Sequence, residues 1–474
     1  MLATAQKSNS VIERDDIARN LSRSWDDLFG MDADQVASLQ LEGARARFSQ
    51  LRPAIKALDA EAKFAGIDRI DSLDDIPKLL FQHSAYKAYP ISFIEKNRFD
   101  MLTRWLAGYT SVDLSDVDVK GIDTIDGWLD ALDQQTAVRV VHTSGTTGKL
   151  SFFPRTTLEL SLWYEGMLKI HEPFGDQPGV FLGDDHVRLP CIMPSARHGR
   201  YVGLRNMELL ESRLVPTPDE LYSYKTTLSA DLASLSGRIR VAQAKGELAQ
   251  MTIPESMRAA MRDYLASQER ATEEGAEFFQ EIAKKLQGRR ILIGGTTNMI
   301  YNAALGGLKL GMRNMFAPDS VAMHGGGAKG LVLPADHMET IMEFSGIRKW
   351  HISYGMSELI GFIPYCEHGH YHVPPYDIPF ILDPETGAAY PRKGTATGRF
   401  AYLDLISQTL WGGLISGDKV TLNFDGGCSC GRTGAYIEGH IERYAATVTG
   451  DDKVTCAATV DNTDAALKQL LDIA

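Results

Sequence analysis

A chain of 474 residues allows roughly two to four domains, and a hydrophobic fraction of 44% is ample for buried cores. A net charge of -12 argues against sequence-independent nucleic-acid binding, which needs clustered Lys and Arg to neutralise phosphates. Met1 to Lys7 has no apolar core and no later stretch approaches about 18 apolar residues, so a cytoplasmic setting is expected, with no membrane and no nucleic acid among the partners.

Residues 1–135 mix charged and apolar positions at helical spacing and read as a helical amino-terminal region packed on a core. From 136 to 442 short β-branched runs alternate with loops and helices: Val138 to Val141, Gly179 to Leu182, Arg290 to Ile293, Ser320 to Met323 and Trp350 to Ser353. That alternation predicts an α/β core with a mainly parallel sheet. Between those runs, 219–286 is rich in Ala, Glu and Lys and carries the caps Ser229 and Thr252, so it reads as a helical insertion. The stretch from 443 to 474 is too short to build a core of its own.

The first run breaks into a loop of hydroxyls and glycines closed by a lysine. Gly145 and Gly148 let backbone approach an anion, Thr143, Ser144, Thr146 and Thr147 offer hydroxyl donors, and Lys149 supplies charge. It is a phosphate-gripping pattern but not a Walker A loop: only two residues separate its glycines, and Leu150 follows the lysine. Two further strands end in loops, at His324 to Gly330 and at Tyr354 to Glu358, and a fourth turn sets Asp418 after Ser416 and Gly417. Ligands of open α/β sheets bind outside the carboxyl ends of the strands, so these breaks are expected to converge on one crevice, where Asp418 suits the hydroxyls of a ribose.

Five cysteines in this length do not make a disulfide scaffold. Cys428 and Cys430 stand one residue apart, and Cys366 is followed by His368, His370 and His372. The set points to a four-coordinate structural Zn²⁺ site with one histidine ligand, stitching two distant segments together in a β subdomain at about 360–440. Cys191 and Cys456 have no partners in this scheme and are expected to be structural thiols.

In series, Thr143 to Lys149, Gly325 to Ala328, Tyr354 to Glu358 and Ser416 to Asp418 resemble the core motifs of the adenylate-forming superfamily of acyl-CoA ligases and luciferases. With Cys366, His372, Asp383 to Gly387 and Cys428 to Thr433, the chain resembles the phenylacetate-CoA ligase branch. It is also similar to the atypical truncated adenylating proteins of phenazine antibiotic biosynthesis. The resemblance implies the large domain of an adenylate-forming enzyme, with mainly parallel sheets flanked by helices, a small β subdomain and a strongly reduced carboxyl-terminal domain.

By position, the resemblance implies that Ser144 to Lys149 wrap the outer phosphates of ATP and that Gly326, Gly327 and Ala328 line the adenine. Within Tyr354, Gly355, Met356, Ser357 and Glu358, the tyrosine would stack on the base, Ser357 contact the α-phosphate and Glu358 hold Mg²⁺. Asp418 would take the ribose, Arg443 would mark the hinge, and Cys366, His372, Cys428 and Cys430 would hold zinc. Trp163, Tyr164, His198, Tyr201 and His324 fall where the acyl pocket lies, with His324 facing the carboxylate, which suits an aryl or heteroaryl acid. The implied reaction is ATP-dependent acyl-adenylate formation and transfer to a thiol or amine, CoA or a carrier or partner protein included.

The chain departs from the family at Leu150, Ser151 and Ser357, and at the hinge only Arg443 fits. Lys453 and Lys468 lack the family's catalytic-lysine context, which leaves Lys329, Arg432 or Arg443 as stand-ins. A full acyl-CoA ligase with an unusual tail and a nucleotide-binding scaffold without turnover are the other readings. Surface left uncovered near the hinge would suit a partner or a homodimer.

Overall fold

The computed structural model describes residues 12–143, 149–170, 187–247, 255–326 and 333–444. The expectations for Ser144, Gly145, Thr146, Thr147 and Gly148, for the strand Gly179 to Leu182, for Thr252, Gly327, Ala328 and Lys329, and for Lys453, Cys456 and Lys468 lie outside the described residues.

The chain enters through helices with strong start signals. Ser24 caps Trp25–Phe29 through the amide of Asp27, and Asp32 with Gln35 forms a capping box on Ala33–Leu51. Their apolar faces, with Leu28, Phe48 and Leu51, enter the largest core cluster. Arg47 is buried; it pairs with Asp15, and its Nε donates to the Leu405 carbonyl at 2.8 Å, fixing this helix to the second half of the chain. Within this helical region a short strand, β1 (Phe81–Gln82), adds itself in parallel to a sheet built some 330 residues later.

Strands β2 (Val138–His142) and β3 (Phe152–Thr156) pair with each other as an antiparallel hairpin. The Val138 to Val141 run is therefore a strand, but it does not join the parallel sheet. The next segment after the loop, Phe152 to Thr156, is buried at every position and returns directly along it. Thr156 and Glu159 then form the capping box of the helix Thr157–Lys169.

The parallel sheet consists of β4 (Cys191–His198), β5 (Leu221–Thr227), β6 (Leu292–Thr296), β7 (Val321–Gly325), β8 (His351–Tyr354) and β9 (Ile363–Pro364). Its order is β5-β4-β6-β7-β8-β9, with only β9 antiparallel. The helical reading of 219–286 needs a correction at its start: β5 forms the sheet edge before the helices Ala230–Lys245 and Glu255–Leu286 begin. The alternation in β5 of Tyr222 and Tyr224 with Ser223 and Lys225 has the period of a strand, and the charge-rich composition downstream masks it.

Helices Thr297–Lys309 and His337–Ser345 cover one face of this sheet through Ile300, Ala304, Ile341 and Phe344. Their closest approach is at Gly307, where a Cβ would stand 2.2 Å from the Phe344 ring. Gly307→Ala is expected to destabilise the protein by about 1–3 kcal/mol despite the better helix propensity of Ala. A thermal midpoint at or above that of the parent would refute this contact.

The second sheet contains β10 (His370–His372), β11 (Asp377–Leu382), β12 (Thr395–Asp404), β13 (Gly413–Asn423), β14 (Tyr436–Glu438) and β15 (Glu442–Arg443). It is antiparallel in the order β10-β14-β13-β12-β11, with β15 and the parallel β1 both on β13. No helix among the described residues is long and apolar enough to cross a membrane.

Candidate functional site

The two sheets meet at Tyr354 and Asp418, two of the positions the sequence singles out. In the parallel sheet, Thr296, Gly325 and Ser353 are adjacent at the carboxyl ends of β6, β7 and β8. At Gly325 a Cβ would lie 3.0 Å from the Ser353 carbonyl, a tight approach, and Gly326 turns the chain at φ +69°. Gly326 thus favours glycine for backbone reasons, whatever ligand it faces.

At the last residue of β8, the Tyr354 hydroxyl donates to Asp418 Oδ2 on β13 at 2.7 Å. Arg443, registered opposite Asp418 on β15, approaches Oδ1 from the other side, with Nε at 3.4 Å. Burial and the neighbouring carboxylate hold the Tyr354 phenol protonated, well above its ordinary range, so it remains a donor. Residues 64 positions apart thus form one unit across two sheets. Tyr354→Phe would keep the ring and release Asp418.

Glu358 is half-buried at the end of the same turn. Burial raises its pKa, and Arg443 and Arg155 pull it back. Its carboxylate supplies hard oxygen donors of the kind Mg²⁺ takes, so the donor chemistry fits Mg²⁺. Met356 takes a hydrogen bond from Tyr402 at its sulfur, 3.2 Å, and Gly355 packs so closely on Phe362 that a Cβ would stand 2.8 Å from its ring.

On the hairpin side, Thr143 closes the base of the loop: its amide donates to the Ser151 carbonyl at 3.2 Å, and its hydroxyl accepts from the Ser151 amide at 3.1 Å. Lys149 Nζ donates to the Tyr89 carbonyl at 2.9 Å and rests 5.6 Å from the centre of the Tyr89 ring. The lysine is therefore held by the helical region.

Of the pocket candidates, His324 is buried on β7, with Nδ1 3.0 Å from the Thr297 hydroxyl and Nε2 without a partner among the described residues. Burial lowers its pKa to about 4, so the imidazole is neutral at pH 7. Trp163 packs on Phe362 at 4.9 Å between ring centres, and Tyr164 is buried beside Cys191, whose thiol is pushed up to about 12 by burial. Tyr201 instead packs on His142 at 4.8 Å, under the hairpin, and His198 is exposed at the end of β4.

The metal-ligand candidates do converge. One donor atom from each of Cys366, His372, Cys428 and Cys430 lies within 4.8 Å of all the others. Cys366 and Cys428 sulfurs are 3.8 Å apart, the edge of a tetrahedron with metal–sulfur bonds of about 2.3 Å. His372 Nε2 is 3.2 Å from Cys430 Sγ. His370, two residues before on the same strand, has Nδ1 3.1 Å from Cys428 Sγ while its ring stacks on Tyr436. The donor set and spacing fit zinc.

Sequence reasoning passed over Arg155, Glu159, Asp404 and Ser407, all buried beneath the Tyr354–Glu358 turn. The one available signal was a charged pair, Arg155 and Glu159, flanking a helix start inside an otherwise apolar segment.

No family model and no curated protein matches the chain. Among solved structures it is similar to 2-hydroxyisobutyryl-CoA ligase in complex with 2-HIB-AMP and CoA in the thioesterification state, with a TM-score of 0.51 and 14% identity over 94% of this chain and 75% of that one. The open conformation of the same ligase gives 0.49 and 13%, over 92% and 80%. The first likeness establishes the fold: this chain shares the α/β architecture of that ligase over nearly all its length.

Proposed function

We propose that the protein is an AMP-forming enzyme that activates a carboxylic acid as its acyl-adenylate and passes the acyl group to a thiol or amine. The observation that carries this reading is the Tyr354–Asp418–Arg443 unit, with Glu358 four residues on, at the carboxyl ends of β7 and β8. A shared fold with a ligase whose complex contains an acyl-AMP and CoA supports it.

In this reading a carboxylate oxygen of the acid attacks the α-phosphorus of ATP, the acyl–O–P bond forms, and the bond to the β-phosphate oxygen breaks to release pyrophosphate. Mg²⁺ held by Glu358 would offset the charge that separates the two anions. Asp418 accepts the ribose hydroxyls while Tyr354 and Arg443 fix its carboxylate. Lys149 leaves the Tyr89 carbonyl to meet the phosphates, and Ser357 orients the α-phosphate. The acceptor then attacks the acyl carbon, and AMP leaves. Trp163, Tyr164 and neutral His324, which the resemblance assigns to the acyl pocket, suit an aryl or heteroaryl acid, and CoA, a carrier protein or a partner chain would be the acceptor. The fine resemblance to the phenylacetate-CoA ligase branch, with zinc at the four Cys and His ligands and a cytoplasmic, dimer-forming protein, belongs to the same proposal.

ATP–pyrophosphate exchange against a panel of aryl, heteroaryl and aliphatic acids tests it without any acceptor. Exchange supported by one acid class is the expected result. ATP binding with no exchange for any acid would favour the scaffold reading instead.

A further inference from the structure

The buried charges Arg155, Asp404 and Glu159 all engage one segment, residues 404–409. Arg155, 1% exposed on β3 and six residues after Lys149, donates through Nη2 to the Ser357 carbonyl at 3.1 Å and through Nη1 to the Ser407 hydroxyl at 3.2 Å. Ser407 in turn donates to Asp404 Oδ2 at 3.1 Å, and the same oxygen accepts the Ile360 amide at 2.9 Å. Glu159, four residues after Arg155, takes the Gln408 and Thr409 amides, each at 2.9 Å, and the Thr409 hydroxyl at 2.7 Å. The segment that leaves the phosphate-loop hairpin therefore grips both the 404–409 connection and the backbone carrying Ser357.

Burying a guanidinium costs several kcal/mol, and here it is held by a hydroxyl and a carbonyl rather than a carboxylate within bonding distance. A neutral side chain would fill the same space at lower cost. What a guanidinium adds is a planar, directional fork that fixes two backbone segments at once and a positive charge facing Glu358 and Asp404.

We propose that Arg155 is a positioning residue of the nucleotide site: its fork between Ser357 and Ser407 sets the backbone that presents Ser357 and Glu358 to the α-phosphate and its cation. This rests on the adenylation reading of the site. Arg155 touches no substrate; it couples the phosphate-loop hairpin to the turn after β8.

The test uses Arg155→Gln, Arg155→Lys and Ser407→Ala in the full chain, with three readouts. MgATP affinity by calorimetry needs no acid and is expected to fall about tenfold in Arg155→Gln, to recover at least partly in Arg155→Lys, and to fall less in Ser407→Ala. In exchange kinetics, kcat is expected to drop and KM for ATP to rise, with KM for the acid unchanged. Thermal midpoints separate these effects from simple loss of fold. Should Arg155→Gln not fold, the other two variants decide by the same readouts. Parent-like MgATP affinity and kcat in variants whose midpoints fall would overturn the proposal and leave Arg155 a packing residue. A parent protein that binds MgATP but exchanges with no acid would overturn the adenylation reading, while the affinity series would still decide the role of Arg155. A parent that binds no nucleotide would overturn both.

Discussion

In ATP–pyrophosphate exchange, Lys149→Met and Glu358→Gln are each expected to lower kcat by about 10²–10³-fold, the cost of one lost charge-stabilising group in a preorganised site. The two changes keep the shape of the side chain and remove its charge. Adenylation needs little proton transfer; its barrier is the approach of two anions and the build-up of charge on departing pyrophosphate, so loss of a cation or a cation ligand falls on kcat more than on ground-state binding. Lys149 makes a particular case. It sits on the Tyr89 carbonyl and ring, and Lys149→Met leaves the stem against that ring while deleting the donor. The thermal midpoint should therefore stay within a few degrees of the parent while exchange collapses. Loss of stability matched by little loss of rate would make the Tyr89 contact the whole role of Lys149. For Glu358→Gln the additional signature is a higher Mg²⁺ requirement; an unchanged Mg²⁺ dependence would remove Glu358 as the ligand.

What the sequence made legible follows from how local each signal is. Strands β6, β7 and β8 announce themselves because β-branched runs broken by glycine are short-range patterns, and Tyr354 both ends β8 and opens the turn to Glu358. The three cysteine candidates, Cys366, Cys428 and Cys430, were legible because soft donors have few other uses, whereas His372 was chosen among three histidines only by the resemblance. Long-range pairing was not. Nothing in the run Val138 to Val141 says whether its neighbour will be parallel or antiparallel, and β5 hides at the head of a charged helical stretch. Arg155 and Glu159 were missed for a deeper reason. A charged side chain ordinarily reads as surface, and only the return of residues 404–409, some 250 positions later, converts this pair into a buried clamp. The bond from Tyr354 to Asp418 likewise depends on two sheets meeting, a tertiary fact that no periodicity encodes.

Purified protein is expected to carry about one zinc per chain, and Cys428→Ser to carry almost none, with a thermal midpoint lower by on the order of 5 °C or more. Cys428 is the sharpest choice because its sulfur lies 3.8 Å from Cys366 and 3.1 Å from His370 Nδ1, at the centre of the donor group. The consequences should not stay local. The loop that bears Cys428 and Cys430 continues to Thr433, whose hydroxyl donates to the carbonyls of Phe29 at 2.6 Å and Met31 at 2.8 Å, and the Phe29 ring meets His372 edge-on at 5.7 Å. The metal would thus tie the amino-terminal helix Trp25–Phe29 to the strand His370–His372 through a loop with little core of its own. Removing it by Cys428→Ser or by chelation should speed amide hydrogen exchange at both segments, more than in helix Thr297–Lys309 across the molecule. Protection lost only in the 428–433 loop would confine the cluster to a local clasp. Metal-free protein with the parent midpoint and exchange pattern would make the four residues an ordinary set of reduced thiols and a histidine. If zinc is found, its place matters for the nucleotide site too: β13 carries Asp418 and pairs with β14, which pairs with the histidine strand β10. A loosened metal cluster would therefore reach Asp418 through two strand pairings, and the same Cys428→Ser protein should bind ATP more weakly although none of its ligands touches the nucleotide.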